Sequence, residues 1–411
     1  MIHFESVITH KLTASVLSIG LSCALIMPAI AADFATTQRL AEQGDEFQID
    51  ITTPYQKNDS VNPYKQGFVR MLERLAEAGD DDAIIALGEV YYFGTMVEQN
   101  YERAAEWFQK SADQGSAIGQ YKTALIYSSG NGVPQDTATA ILWYIKSANQ
   151  GDRYAQYNLG SIYDKAEGVN QDYDKAAKWY LKAAEQGDTD AQNALGLLYK
   201  NGNGVDRDYA QAIGWLTKAA EQEDAYAQYN LAVIYDGDQY FSQDLDKSLL
   251  WYQKAADQGV AAAQFNFGWM YANGEGVKQD WTRAIELYLE SANQGYADAQ
   301  YNLGWMYANG RSVEQDYNQA MYWYSKAAEQ HHSSAQNNIG DMYEKGLSLI
   351  QNDVIAAQWY LLAANQNYVL AQNSLGLMYF EGRGVEQDNA KSQEWYSRSC
   401  ENGLQKACDK L

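Results

Sequence analysis

The chain has 411 residues, with 30 Lys and Arg against 53 Asp and Glu, and a formal charge of −23. So acidic a surface repels phosphate backbones, which argues against nucleic acid and anionic lipid as partners; it favours solubility and would attract a basic partner. Its 33 tyrosines and 11 tryptophans suit flat helix interfaces, and of only four prolines three precede position 64.

The first expected element is a cleavable secretory signal over residues 1–31. Lys11 precedes an apolar run from Leu12 to Ile30, Pro28 breaks it, and Ala29-Ile30-Ala31 supplies small residues for cleavage before Ala32. The run is near the minimum spanning length, so an uncleaved anchor is the alternative. Cys23 raises lipid attachment, but Gly20-Leu21-Ser22 is a poor match to that signal and apolar residues continue beyond the cysteine. No other segment could span a bilayer, so the mature chain is expected in the periplasm or secreted. Residues 32–79 read as an N-terminal capping region. Thr36 to Gly44 resembles the end of a helix, and a polar stretch with Pro54 and Pro63 follows. A helix from about Tyr64 to Ala78 then places Phe68, Met71, Leu72 and Leu75 on its inner side.

From 80 to 403 the chain repeats every 36 residues. Trp107, Trp143, Trp179, Trp215 and Trp251 keep the beat, Leu287 interrupts it, and Trp323, Trp359 and Trp395 resume it. A unit this small cannot bury its own apolar face, so units must stack. The expected fold class is all-α, a right-handed superhelical α/α solenoid of about nine helix-turn-helix repeats. In the copy Asp152 to Gly187, Ala155, Leu159 and Tyr163 share one face of a first helix. A turn follows at Gly168-Val169, and Ala176, Trp179 and Ala183 share a face of a second helix that Gly187 can close. Asp136, Asp172, Asp208, Asp244, Asp280, Asp316 and Asp388, with Asn100 and Asn352, stand where the second helix needs an N-cap. Gly88, Gly160, Gly196, Gly268, Gly304, Gly340 and Gly376, with Ala124 and Ala232, recur within the first helix. Glycine there costs about 1 kcal/mol of helix propensity, so the partner helix must pack close.

Residues 404–411 keep the phase of a tenth first helix and read as a truncated C-terminal cap. Once a signal is removed, Cys400 and Cys408 are an even pair in an oxidising compartment, which predicts a disulfide stabilising this end by roughly 2–3 kcal/mol.

The pattern A-x-x-x-LG-x-x-Y, then G-x-GV-x-QD, then A-x-x-WY-x-K-AA-x-QG resembles the Sel-1-like repeat (SLR) family, a relative of the tetratricopeptide repeat. The resemblance covers 80–403 in nine in-phase copies. The spacing of Cys400 and Cys408 is also similar to the bridging pairs of the family's cysteine-rich bacterial branch. Two copies depart from the turn pattern, with Asp238-Gln239-Tyr240-Phe241 in the fifth unit and Leu347-Ser348-Leu349-Ile350 in the eighth.

No catalytic constellation, cofactor site or metal site is expected. His331 and His332 are neighbours and cannot face one way on a helix, and HExxH, GxSxG and GxxxxGK[ST] motifs are absent. Gly202-Asn203-Gly204-Val205 follows a helix and reads as a turn, not as half a nucleotide fingerprint. Asp236, Asp238, Asp244 and Asp246 lack the spacing of a calcium loop.

A binding surface is expected on the first helices, taken as the concave side, at positions equivalent to 157, 161 and 165. There Phe265, Trp269 and Asn273 form a stripe that Tyr301, Trp305 and Asn309 repeat, with Tyr229 before and Asp341 after. The rings would cover apolar side chains of an extended peptide and the amides would bond its backbone. Alternatively the stripe packs against neighbouring first helices, since Leu125, Leu197 and Leu377 occupy the same position elsewhere.

Together these readings point to an exported, non-catalytic scaffold for a protein or peptide. The resemblance implies adaptors, regulators and host-interaction factors of bacterial envelopes. It also implies periplasmic immunity proteins that neutralise lipase toxins, and some cysteine-rich relatives credited with binding or cleaving β-lactams. Without a histidine-supported nucleophile, the enzyme reading lacks its chemistry.

Overall fold

The computed structural model describes residues 63–411; the predicted signal and residues 32–62 of the predicted cap lie outside the described residues. Helix α1 (Pro63–Glu77) precedes nine hairpins. These are α2 (Asp81–Phe93) with α3 (Tyr101–Asp113), α4 (Ala117–Ser129) with α5 (Thr137–Asn149), and α6 (Arg153–Lys165) with α7 (Tyr173–Glu185). Next come α8 (Thr189–Asn201) with α9 (Tyr209–Glu221), α10 (Ala225–Asp236) with α11 (Leu245–Asp257), and α12 (Ala261–Asn273) with α13 (Trp281–Asn293). The series ends with α14 (Ala297–Asn309) and α15 (Tyr317–Glu329), α16 (Ser333–Lys345) and α17 (Asp353–Asn365), α18 (Val369–Glu381) and α19 (Asn389–Glu401), then the short α20 (Gln405–Cys408). Each helix packs on the next in sequence, which makes an all-α solenoid.

Local chemistry sets the helix ends. In the Gln-Asp pair of the third unit's turn the two side chains cap opposite helices. Gln171 Nε2 donates to the Asp164 carbonyl at the end of α6, and Asp172 Oδ1 accepts the Lys175 N–H at the start of α7. Gln135 with Asp136 and Gln315 with Asp316 repeat the arrangement. All nine expected N-caps accept a backbone N–H in this way, each contributing about 1 kcal/mol. Gly204, at φ +66°, lies in the next unit's turn, and a Cβ there would meet the Tyr173 carbonyl carbon at 2.2 Å. Both the backbone sign and the close approach therefore demand glycine.

Inside a hairpin, the small residue of the first helix receives an aromatic ring from the second. A Cβ on Gly160 would lie 2.5 Å from Tyr180, and one on Gly304 2.5 Å from Tyr324. Tyr180, Tyr324 and their counterparts are buried. They, and not the tryptophans beside them, fill the hairpin interior.

The buried layers are offset by half a unit from the sequence repeat. One layer joins Ala176, Tyr180 and Ala183 of α7 to Ala191, Leu195 and Leu198 of α8, and Trp215 of α9 closes it. Trp323 and Trp395 close the corresponding layers further on, and Leu287 fills that place in its own. Each core is thus shared by two repeats, which is why a single unit has no interior of its own. A lysine three residues on covers most of the indoles, at 3.6 Å for Lys146 on Trp143 and 4.2 Å for Lys182 on Trp179. Such contacts contribute about 0.5–1 kcal/mol each at exposed sites.

Three local differences from the sequence expectation appear. On α1 the inner face is Val69, Leu72 and Ala76, with Phe68 beside them; Met71 and Leu75 are exposed. The buried spacing of three and four residues selects one stripe, and Met71 and Leu75 fall off it. In the fifth unit α10 is one residue short, and Asp238 Oδ1 closes the loop by accepting the Tyr240 and Phe241 N–H groups. In the eighth unit Gly346 and Ser348 keep the positive φ of Gly202 and Gly204, so a serine takes the second glycine's place without a change of turn, and Ile350 is left almost fully exposed.

Candidate binding surface

First helices of successive units meet directly, α6 with α8, α8 with α10 and α14 with α16, whereas second helices do not approach one another as closely. At the position of Ser161, which is buried, most units carry a half-buried side chain. Trp269 and Trp305 differ, at 42% and 37% exposure. Both indoles open onto a cleft formed by α12, α13 and α14.

That cleft, of about 160 Å³, is lined by Trp269, Trp281, Trp305, Tyr288 and Met306 with the amides of Asn273 and Asn302. The Trp281 and Trp305 ring centroids are 6.4 Å apart, and the Arg311 guanidinium sits 4.8 Å over Trp281. Trp281 starts a second helix and lay outside the stripe drawn from first-helix positions. Only folding brings it beside Trp305, across a unit boundary.

Of the other predicted residues, Asn273 lines this cleft and the rest lie outside it. Phe265 packs on Tyr288 and Tyr296, Tyr301 on Tyr324 and His332, and Tyr229 on Tyr252, all half-buried. Asn273 and Asn309 each turn the side-chain amide back to the carbonyl four residues earlier, Trp269 O at 2.9 Å and Trp305 O at 2.8 Å. Their side-chain carbonyls are the groups left for a partner. Asp341 lies 2.6 Å from the Tyr360 hydroxyl, whose one proton it shares with Glu344, and 3.1 Å from Lys345.

A second, more polar cleft of about 320 Å³ lies at units three and four, lined by Tyr157, Asp164, Asp190, Asn193, Leu197 and Asn201 among others. Burial raises the Asp164 carboxyl above its ordinary value. Acidic side chains thus occupy one stretch of the first-helix face and indoles another.

His332 caps α16 through Nδ1, which accepts the Ala335 N–H at 3.2 Å, while Nε2 lies 3.2 Å from Asp298 Oδ1. Both ring nitrogens serve the junction of units seven and eight. Among the described residues no group of three His, Cys, Asp or Glu is placed to hold a metal ion, and no helix is long and apolar enough to cross a membrane. Cys400 and Cys408 are in disulfide geometry, with Cα atoms 4.8 Å apart.

The profile of the Sel1 repeat matches nine consecutive segments, 81–116, 117–152, 153–188, 189–224, 225–260, 261–296, 297–332, 333–368 and 369–404. Among solved structures the chain is similar to a protective antigen present in uropathogenic Escherichia coli strains that displays an SLR fold. The identity is 32%, over 82% of this chain and 80% of that one, with a TM-score of 0.65. It is also similar to a Sel1 repeat protein from Oxalobacter formigenes, 29% identical over 89% of this chain and 96% of that one, at a TM-score of 0.58. No curated protein matches the chain.

Proposed function

The chain belongs to the Sel1 repeat family, and from that premise we propose that it is an exported, non-catalytic scaffold that holds a protein or peptide on its first-helix face. One observation carries the reading: Trp269 and Trp305 stand on adjacent first helices and expose their indoles to one cleft, while the rings behind them are packed. Exposed indoles bring large desolvation gains at low conformational cost, and such residues dominate binding energy in protein interfaces. Net negative charge would draw in a partner with basic segments and raise its rate of encounter. The 32% identical relative is described as a protective antigen, which supports an exported setting.

The test is affinity capture from envelope extract on the full chain and on the Trp269→Ala/Trp305→Ala variant, with circular dichroism on both. Loss of the captured protein with an unchanged helical signal supports the surface. Retention of every partner by the folded variant would sink it.

A further inference from the structure

Resting on the reading that this face holds a peptide, we infer that the cleft between units six and seven takes the C-terminal residue of the partner, an aromatic one, with its α-carboxylate on Arg311. The size of the cleft points to the side chain. It holds about 160 Å³, close to the ~150 Å³ of an apolar cavity that accepts a benzene ring. Its walls are three indoles, the Tyr288 ring and Met306, and no acidic residue lines it. A cationic side chain would find no countercharge there, although the chain as a whole is strongly acidic.

The carboxylate follows from Arg311. The residue is exposed, lies 4.8 Å over Trp281, and forms no ion pair among the described residues. Stacking on the indole holds the guanidinium beside the cleft, with N–H groups in its plane free to donate. A ligand whose ring enters the cleft brings the atoms nearest that ring within reach of Arg311. In a terminal residue the carboxylate is attached to the Cα that bears the ring. An acidic neighbour within a continuing chain would begin at the next Cα, about 3.8 Å further on. The amides of Asn273 and Asn302 then face the last peptide group of the partner.

The experiment uses the full chain labelled with 5-fluorotryptophan, its fluorine resonances assigned by single Trp→Phe changes. Four probes are titrated: N-acetyl-phenylalanine, its amide, N-acetyl-phenylalanyl-aspartate amide, and N-acetyl-lysine amide. Trp269, Trp281 and Trp305 should shift with the phenylalanine probes and not with the lysine probe. The free acid should bind roughly two- to fivefold more tightly than the amide, and Arg311→Gln should abolish that ratio. The aspartate probe should behave like the amide. Equal affinity of acid and amide, or an aspartate probe as tight as the acid, overturns recognition of a C-terminus. Absence of shifts at the three indoles, or equal shifts with lysine, overturns the aromatic cleft. Capture that depends on Trp269 and Trp305 while no probe binds leaves the scaffold reading standing and removes this one.

Discussion

Gln186 Nε2 donates to Gln156 Oε1 at 2.8 Å within the third hairpin. Gln156 Nε2 in turn donates to the Ala148 carbonyl of the preceding unit, 3.1 Å away. The same relay recurs through Gln192, Gln228, Gln264, Gln300, Gln336 and Gln372. A buried glutamine in every unit from the second to the ninth thus bonds to the second helix of its own hairpin, and from the third onward it also bonds to the hairpin before it. Gln156→Leu should therefore cost about 2 kcal/mol, since it leaves the Ala148 carbonyl and the Gln186 amide with one partner fewer. Urea unfolding of the two chains measures this. A change below a few tenths would show that water replaces the relay.

Tryptophans in this chain divide by position. Trp323 is buried in the layer shared by units six and seven. Trp323→Ala should destabilise by roughly 3–5 kcal/mol. Trp269→Ala and Trp305→Ala should each cost less, about 1 kcal/mol, because these residues are already 42% and 37% exposed. Thermal melts followed by circular dichroism separate the two groups. Equal losses would make the exposed pair part of the core.

Glu344 couples α16 to α17 and to the turn of the ninth unit. Burial raises its carboxyl pKa, but the Tyr360 hydroxyl at 2.6 Å and Arg383 at 2.7 Å outweigh burial and leave it below its ordinary value. A carboxyl lowered in the folded state stabilises above its unfolded pKa and loses that contribution as pH falls through the folded one. Wild type should therefore exceed Glu344→Gln in urea midpoint at pH 7, with the gap closing below about pH 4. A gap that does not narrow as pH falls below the unfolded value of about 4.3 would place its origin in packing instead.

Thr123 stands where other units place a buried leucine, isoleucine or phenylalanine, and its hydroxyl is buried without a hydrogen-bond partner. Thr123→Val keeps the shape and removes the desolvated oxygen. It should stabilise the protein by about 1 kcal/mol. A lower melting temperature for the valine variant would mean that the hydroxyl finds water in solution.

The turn chemistry was legible because it is local. Asp172 caps the residues that follow it, and Gly204 needs its φ whatever lies beyond. The close approach at Gly160 was legible too, since only contact explains a helix-weakening residue at one phase of nearly every unit. The roles of the aromatic residues were less so. Trp179 kept the most visible beat, yet Tyr180 beside it is the more deeply buried. Periodicity reports that a position is constrained without saying by which neighbour. The lysine three residues after most of the periodic indoles and the glutamine early in each first helix from the second unit on were equally regular, and only their partners reveal their work.

Sequence alone determined the number of hairpins, their helix ends and the close approach inside each hairpin, because these follow from spacing and from bonds spanning a few residues. Tertiary structure decided that each core is shared by two units. It also decided that Trp281 joins Trp269 and Trp305 around one cleft and that Met71 and Leu75 stay outside. Those outcomes depend on how one unit is rotated against the next, an angle set by the fit of whole side-chain surfaces, which no short stretch of chain encodes.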